Sequence, residues 1–318
     1  MSKNVLTPDA EPYYDDEIDL RELFAVLRAG KNKILAVTAV FALVSVIYAL
    51  SMPNQYKATA LLAPAESESG GLSGALGDLG GLASLAGVNL DMGGGGDAKI
   101  ALEIMQSWSF IENFITDNNL SVEVFAAEGW SRPSNQLEIN QSVYDTSSKT
   151  WSVKNSVTGE KGPPSSWVLF EEFSEKLTVA EDKKTGLVSV SIEYYSPLIA
   201  KDWLDLYVKA INEHMQARQI AKVTNNINYL QAQIQKTTIA EMQEVFYTII
   251  EEQIKNKMLA EASPDYAFQA VSPSMVPEEK SQPKRALIFI LGTLLGGMLS
   301  VLWVLVMHYV RGSEQGKG

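Results

Sequence analysis

ILAVTAVFALVSVIYALSM, residues Ile34 to Met52, is a run of 19 residues without a charge, and ALIFILGTLLGGMLSVLWVLVM, residues Ala286 to Met307, is a second run of 22. A helix rises about 1.5 Å per residue and the hydrocarbon slab is about 30 Å thick, so about 20 apolar residues cross it. Both runs are long enough to span, and residues 53–285 between them are mostly polar. The pattern predicts a hairpin threaded twice through a membrane, with its working part in the loop. Ala49-Leu50-Ser51 loosely resembles a signal-cleavage site. However, the first run begins late, is longer than a usual signal core and follows an acidic leader, so a retained anchor is expected.

Basic residues near the anchors set the orientation. Arg21, Arg28, Lys31 and Lys33 precede the first run, and only Lys57 follows it closely. That asymmetry puts the N-terminus in the cytoplasm. Lys284 and Arg285 before the second run oppose it locally, but the first helix usually dominates and a long loop translocates largely regardless of its charge. Both ends are then cytoplasmic. Tyr48, Trp303 and Tyr309 suit interfacial aromatics.

The chain of 318 residues has a formal charge of −12, and residues 53–285 hold −11 of it, with 19 Lys or Arg against 30 Asp or Glu. Such a surface repels nucleic acid and anionic lipid. Without cysteine there is no disulfide, thiol catalysis or thiolate metal site. The two histidines, His214 and His308, have no metal-ligand partner at helical or loop spacing. No phosphate-binding loop, nucleophile elbow or kinase signature occurs. Carboxylate pairs such as Glu171-Glu172 sit among ordinary surface charge. No enzymatic activity and no cofactor or metal are expected.

The boundaries follow from composition. Residues 1–33 form a leader with an amphipathic helix, in which Asp19 caps, Ile18 staples onto Leu23 and Gly30 stops the helix. Residues 34–52 are the first span, 53–285 the domain, 286–307 the second span and 308–318 a tail. Within the domain, Gln55 to Ala63 reads as a strand closed by Pro64. Residues 66–97 form a Gly-rich loop, with 11 glycines among the 27 residues from Gly70 to Gly96 interleaved with leucines. A mobile loop and a loop packing on a neighbour or the membrane are both open there. Asp97 to Asn118 is periodic enough for one helix. Ser121 to Pro164 reads as short elements and turns. Ser166 to Phe173 is a helix, and Lys176–Ala180 and Leu187–Tyr195 are strands joined by the Asp182 to Gly186 turn.

Ser196-Pro197 opens the dominant element, a long helix over about 197–235. Ile220, Val223, Ile227, Leu230 and Ile234 step by 3, 4, 3, 4, the narrow seam of a helix burying one stripe against a partner. That partner is either a second helix, about 238–262, folding back, or a neighbouring subunit. Asn225, Asn228 and Gln231 on another face are a candidate glycan or polymerase surface. Tyr266 to Val271 reads as a strand beside the first one. Residues 272–285, with Pro273, Pro277, Pro283, Lys284 and Arg285, predict an extended membrane-proximal connection. In the second span, Gly292, Gly296 and Gly297 allow close helix approach.

Several of these stretches together resemble one family. They are EIDLREL before the first span, YKATALL after it, GLASLAGVNL, IALEIMQSWSFIENFI, SPLIAKDWLDLYV and DYAFQAVSPSMVPEEKSQPKRALI. In this order they are similar to the Wzz family of chain-length determinant proteins, also called class 1 polysaccharide co-polymerases. Ser121 to Pro164 matches nothing specific. The resemblance implies an α+β inner-membrane protein, with two transmembrane helices flanking an α/β periplasmic domain that carries a long extended helix. It implies a ring-shaped homo-oligomer of about eight subunits, partnered with the O-antigen polymerase and the growing lipid-linked polysaccharide. Its expected role is to set the modal length of lipopolysaccharide O-antigen without catalysis. A membrane adaptor for capsule or exopolysaccharide polymerisation or export, working with a separate tyrosine kinase, is the alternative. A cytoplasmic kinase or sensor output domain after the second span is not expected.

Overall fold

The computed structural model describes residues 20–65 and 94–315, with side chains described from Phe24, from Asp97 and up to His308 at the three helical margins. The expectations on Ile18, Asp19, the leucines of residues 72–90 and the ring of Tyr309 therefore lie outside what is described. The chain divides into two compact units, Met1–Met52 with Lys284–Gly318, and Pro53–Pro283.

The first unit contains α1 (Leu20–Ala29), α2 (Lys31–Ser51) and α9 (Arg285–Gln315). Lys31–Ser51 and Arg285–His308 are long and apolar enough to cross a membrane, and the chain itself buries only 11% of each, unlike the core helix of a soluble domain. As expected, the leader helix ends at Gly30, with α1 closing at Ala29 and α2 starting at Lys31. The Gly30 backbone is right-handed helical (φ −84°, ψ −1°), it donates to Val26 O, and its carbonyl accepts from Lys33 and Ile34. What demands glycine there is space, because a Cβ would lie 2.6 Å from Val304 Cγ1.

The second unit is built on a four-stranded antiparallel sheet, order β6-β7-β1-β8, from β1 (Tyr56–Pro64), β6 (Leu177–Glu181), β7 (Val188–Tyr194) and β8 (Phe268–Ser272). Alternation decides its faces. Ala58, Ala60 and Leu62 of β1 and Val188, Val190 and Ile192 of β7 are buried, whereas Lys57 and Thr59 are exposed. Pro64, expected to close the strand, is the last residue of β1 and pairs with Phe268. β8 begins at Phe268, two residues later than the alternation predicts.

Against the buried face pack α3 (Gly94–Met105), α4 (Trp108–Asp117), α5 (Ser121–Ala126), α6 (Ser166–Lys176) and the first turns of α7 (Pro197–Lys236). The single helix expected over Asp97–Asn118 is two helices, because Ser107 turns extended (φ −76°, ψ 144°) and its hydroxyl accepts from Phe110 N at 3.4 Å. The helix also begins at Gly94, inside the expected Gly-rich loop, as Ala98, Ala101 and Met105 carry its face into the core. Phe110, Phe114 and Phe173 surround Tyr207 edge-on or tilted at 4.9–5.7 Å. Each such fully buried ring contributes about 1.5–3 kcal/mol. The middle of the chain supplies two hairpins, β2 (Ala127–Ser131) with β3 (Gln136–Ile139) and β4 (Tyr144–Asp145) with β5 (Thr150–Trp151).

The 40 residues of α7 extend about 60 Å. Ser196 Oγ accepts from Ile199 N and Pro197 takes the first turn. The helix stops where Thr237 becomes extended (φ −95°, ψ 128°), and α8 (Ala240–Ala262) follows.

Candidate functional site: the helical hairpin and its base

The two halves of α7 differ in what they bury. Ala200, Trp203, Leu204, Tyr207, Ile211 and Met215 cover the sheet, but beyond them only Val223 and Leu230 are fully buried. α8 runs back along that upper half. At the tip, Gln243 Nε2 donates to Ile234 O (3.3 Å) and Thr237 O (2.7 Å). At the base, Gln216 Nε2 donates to Ala260 O (2.9 Å) and Ser263 O (3.0 Å). Leu230, Phe246 and Ile250 form a small core between the helices, with Ile227, Ile234 and Ile249 packed on it. Of the five seam residues, Val223 and Leu230 are buried and Ile220, Ile227 and Ile234 are half-buried. Asn225, Asn228 and Gln231 are exposed along the outer side of α7. Tyr247 (61%) and Met258 (64%) of α8 also face outward.

Where the hairpin returns to the sheet stands a residue that the apolar spacing passes over. Asn212 is 3% exposed. Its Oδ1 accepts from Ala267 N (3.0 Å) and Phe268 N (2.8 Å), and its Nδ2 donates to Phe268 O (2.9 Å). Ala267 O already accepts from Ala65 N. The polar groups of the next residue therefore point away from β1, and Asn212 meets them as another strand would.

The Pro-rich stretch is not a free spacer. Ser272 belongs to β8 and Arg285 to α9, so the irregular part is 273–284 rather than 272–285. Pro283 is buried, Pro273 and Lys284 are exposed, and Pro277 and Arg285 are intermediate. Gln55 and Gln282 form a β-bridge, and Ser281 N donates to Gln55 O at 2.8 Å. Ser281 Oγ and Gln282 Nε2 both donate to the Glu193 carboxylate. Ser274 Oγ donates to Asp205, which also pairs with Lys201. Glu193 and Asp205 look like ordinary surface acids in the sequence, and only the fold brings them to this strap.

Within the first unit, the glycines of the second span lie against the first. A Cβ at Gly292 would lie 2.5 Å from Ser45 Cβ, and one at Gly296 would overlap Phe41 Cβ, whereas Gly297 has open space nearer than Thr38 Oγ1 at 3.9 Å. Thr38 and Ser300 hydroxyls meet at 3.3 Å. Arg285 Nε donates to Ala49 O at 3.1 Å, a cation at a helix C-terminus.

The titratable groups are structural in character. Burial pushes the hydroxyls of Tyr194 and Tyr207 far above the usual phenol range, and that of Tyr266 up to about 12. Tyr194 donates to Glu123 O, and Tyr207 donates to Met105 O. Desolvation raises the Glu123 carboxyl. Turn hydrogen bonds, from Ser148 and Ser147 to Asp145 and from Lys184 N to Asp182, hold those carboxyls low. Among the described residues no three His, Asp or Glu side chains are grouped to hold a metal ion.

A full-length bacterial polysaccharide co-polymerase is similar to this chain at 15% identity, covering 93% of this chain and 99% of its own, with a TM-score of 0.37. A fragment of WzzB, a polysaccharide co-polymerase from Salmonella Typhimurium, is 11% identical over 72% of this chain and 100% of its own, with a TM-score of 0.25. No curated protein matches by sequence. Residues 16–118 match the family model described as Wzz, chain length determinant protein. That segment holds α1, α2, β1 and the α3–α4 pair, which include several of the stretches that carried the resemblance.

Proposed function

We propose that this protein is a non-enzymatic regulator of polysaccharide chain length, setting the modal length of lipopolysaccharide O-antigen made by a membrane polymerase. It acts as a ring-shaped homo-oligomeric scaffold in the bacterial inner membrane, with both termini cytoplasmic and residues 53–285 periplasmic. The observation that carries this reading is the family match over residues 16–118. The two span-length helices and the hairpin of α7 and α8 support it by supplying anchors and a long projecting element. The basic residues before the first span support the orientation. Its partners are further copies of itself, the polymerase and the growing lipid-linked glycan.

In this reading Asn225, Asn228 and Gln231 offer a weak, repeated hydrogen-bonding surface to glycan or polymerase. The test is deletion of the gene in its host, with lipopolysaccharide run on a gel beside the complemented strain. Loss of a length cluster in favour of a smoothly declining ladder is expected, and an unchanged ladder overturns the reading. Substituting the three side chains together by alanine should shift the cluster while the oligomer persists.

A further inference from the structure

A cleft of about 420 Å³ opens between α4 and α7. This lies within the range of small-molecule sites, about 300–1,000 Å³. Phe110, Asn113, Phe114 and Asp117 line one wall, spaced 3, 1 and 3. Leu206, Lys209, Ala210, Glu213 and His214 line the other, spaced 3, 1, 3 and 1. Each set is therefore one helix face.

Two helices that close on each other share an apolar seam. Here the floor is apolar and the rim is polar apart from Leu206. Phe110 and Phe114 are buried against Tyr207, whereas Asn113, Asp117, Lys209, Glu213 and His214 are exposed at the rim. Lys209 pairs with Glu213 at 3.6 Å. Among the described residues Asn113 and Asp117 have no hydrogen-bond partner, and His214 makes only an edge-on ring contact with Phe110 at 5.5 Å. An apolar floor under a carboxamide, a carboxylate and an imidazole matches a pyranose ring, which has an apolar C–H face and a rim of hydroxyls that both donate and accept. Two carboxylates against one lysine, in a domain of net charge −11, repel phosphorylated or acidic sugars.

We infer that the α4–α7 cleft is a subsite for a neutral sugar residue of the polysaccharide, with Asp117, Asn113 and His214 as its hydrogen-bonding groups. This rests on the polysaccharide reading above. It places a glycan contact at the base of the long helix, apart from Asn225, Asn228 and Gln231.

The test puts a benzophenone-bearing residue at position 206, where the exposed Leu206 edges the cleft, in the full chain in host membranes, and irradiates them. The expected product is a heterogeneous adduct that stains for carbohydrate and is absent from a strain unable to make the polysaccharide. Asp117→Ala combined with His214→Ala should reduce it by tenfold or more, since one hydrogen bond is worth about a factor of ten. The same double variant should shift the length cluster while amine cross-linking still shows the parent oligomer. A discrete adduct at twice the chain mass would mean that a second copy fills the cleft, and overturns the inference. So does the absence of any carbohydrate adduct in a strain whose length cluster depends on the gene. A cluster that persists on gene deletion overturns the length-regulation reading itself, independently of the cleft.

Discussion

Replacing Asn212 by leucine keeps the branched shape of the side chain, though not its volume, and removes the clamp between α7 and the start of β8. Three backbone groups lose partners: Ala267 N, Phe268 N and Phe268 O. All three are inside, since Ala267 is 4% and Phe268 0% exposed. An unsatisfied buried group costs about 1–3 kcal/mol. Allowing for relaxation and water entry, a total of ~3–5 kcal/mol is expected, among the larger effects of a single substitution. The loss should be local, because β8 joins the sheet only through β1 while β7 and β1 are held by the main core. The assay is hydrogen–deuterium exchange by mass spectrometry on the full chain in detergent. Peptides covering residues 264–272 should lose protection by about a hundredfold or more, since ~1.4 kcal/mol is a factor of ten. Peptides covering 188–194 should change little. Unaltered exchange at 267 and 268 would refute the claim that Asn212 stands in for a missing strand.

Other substitutions probe separate parts. Gly292→Leu drives a side chain into Ser45 and should part the spans at a cost of ~1–3 kcal/mol. A cysteine pair at Thr38 and Ser300, whose hydroxyls meet at 3.3 Å, should cross-link in the parent and fail to in the variant. Leu230→Ala empties the small core between α7 and α8 and should cost ~2–4 kcal/mol, seen as faster exchange in residues 240–262 with the sheet unaffected. Glu123 has a folded-state pKa above its unfolded value, so its contribution is most favourable in acid and is lost as pH rises through the folded pKa. Glu123→Gln should therefore raise the melting temperature near neutrality and leave it unchanged well below the carboxylate range. Asp145 and Asp182 have lowered pKa values. Asn at either should weaken its turn above the unfolded pKa, with the difference vanishing as pH falls through the folded one.

The elements legible in the sequence are those whose burial follows a period. The spans are legible as unbroken apolar runs, β7 and α7 as faces buried at constant spacing, and the 3, 4, 3, 4 seam ends at Ile234, two residues before the helix does. Boundaries failed where one residue's backbone decides them. Ser107 splits a periodic stretch because its hydroxyl competes for an amide of the next turn, and apolar spacing carries no record of that. At Gly30 the helix boundary is legible, but the close approach of Val304 that also requires glycine there is not. The polar contacts that organise the base were the least visible. Asn212, Glu193 and Asp205 sit in helix or strand positions that read as unremarkable polarity, and their partners lie 56, 88 and 69 residues away. The cleft was hidden for a related reason. Its polar rim matches the solvated side of two amphipathic helices, and only their mutual placement turns two ordinary surfaces into one concave site.

The bridge between Gln55 and Gln282 brings the two ends of the domain into register, since Pro53 and Pro283 follow directly outside it. A domain whose entry and exit strands are already bonded is a cassette. Its fold does not depend on which segments carry it, so it tolerates circular permutation at another surface turn, such as 182–186, with a short linker joining the old ends. Such domains could then be exchanged between anchors as modules, with the spans and the domain each varied while the other is held constant.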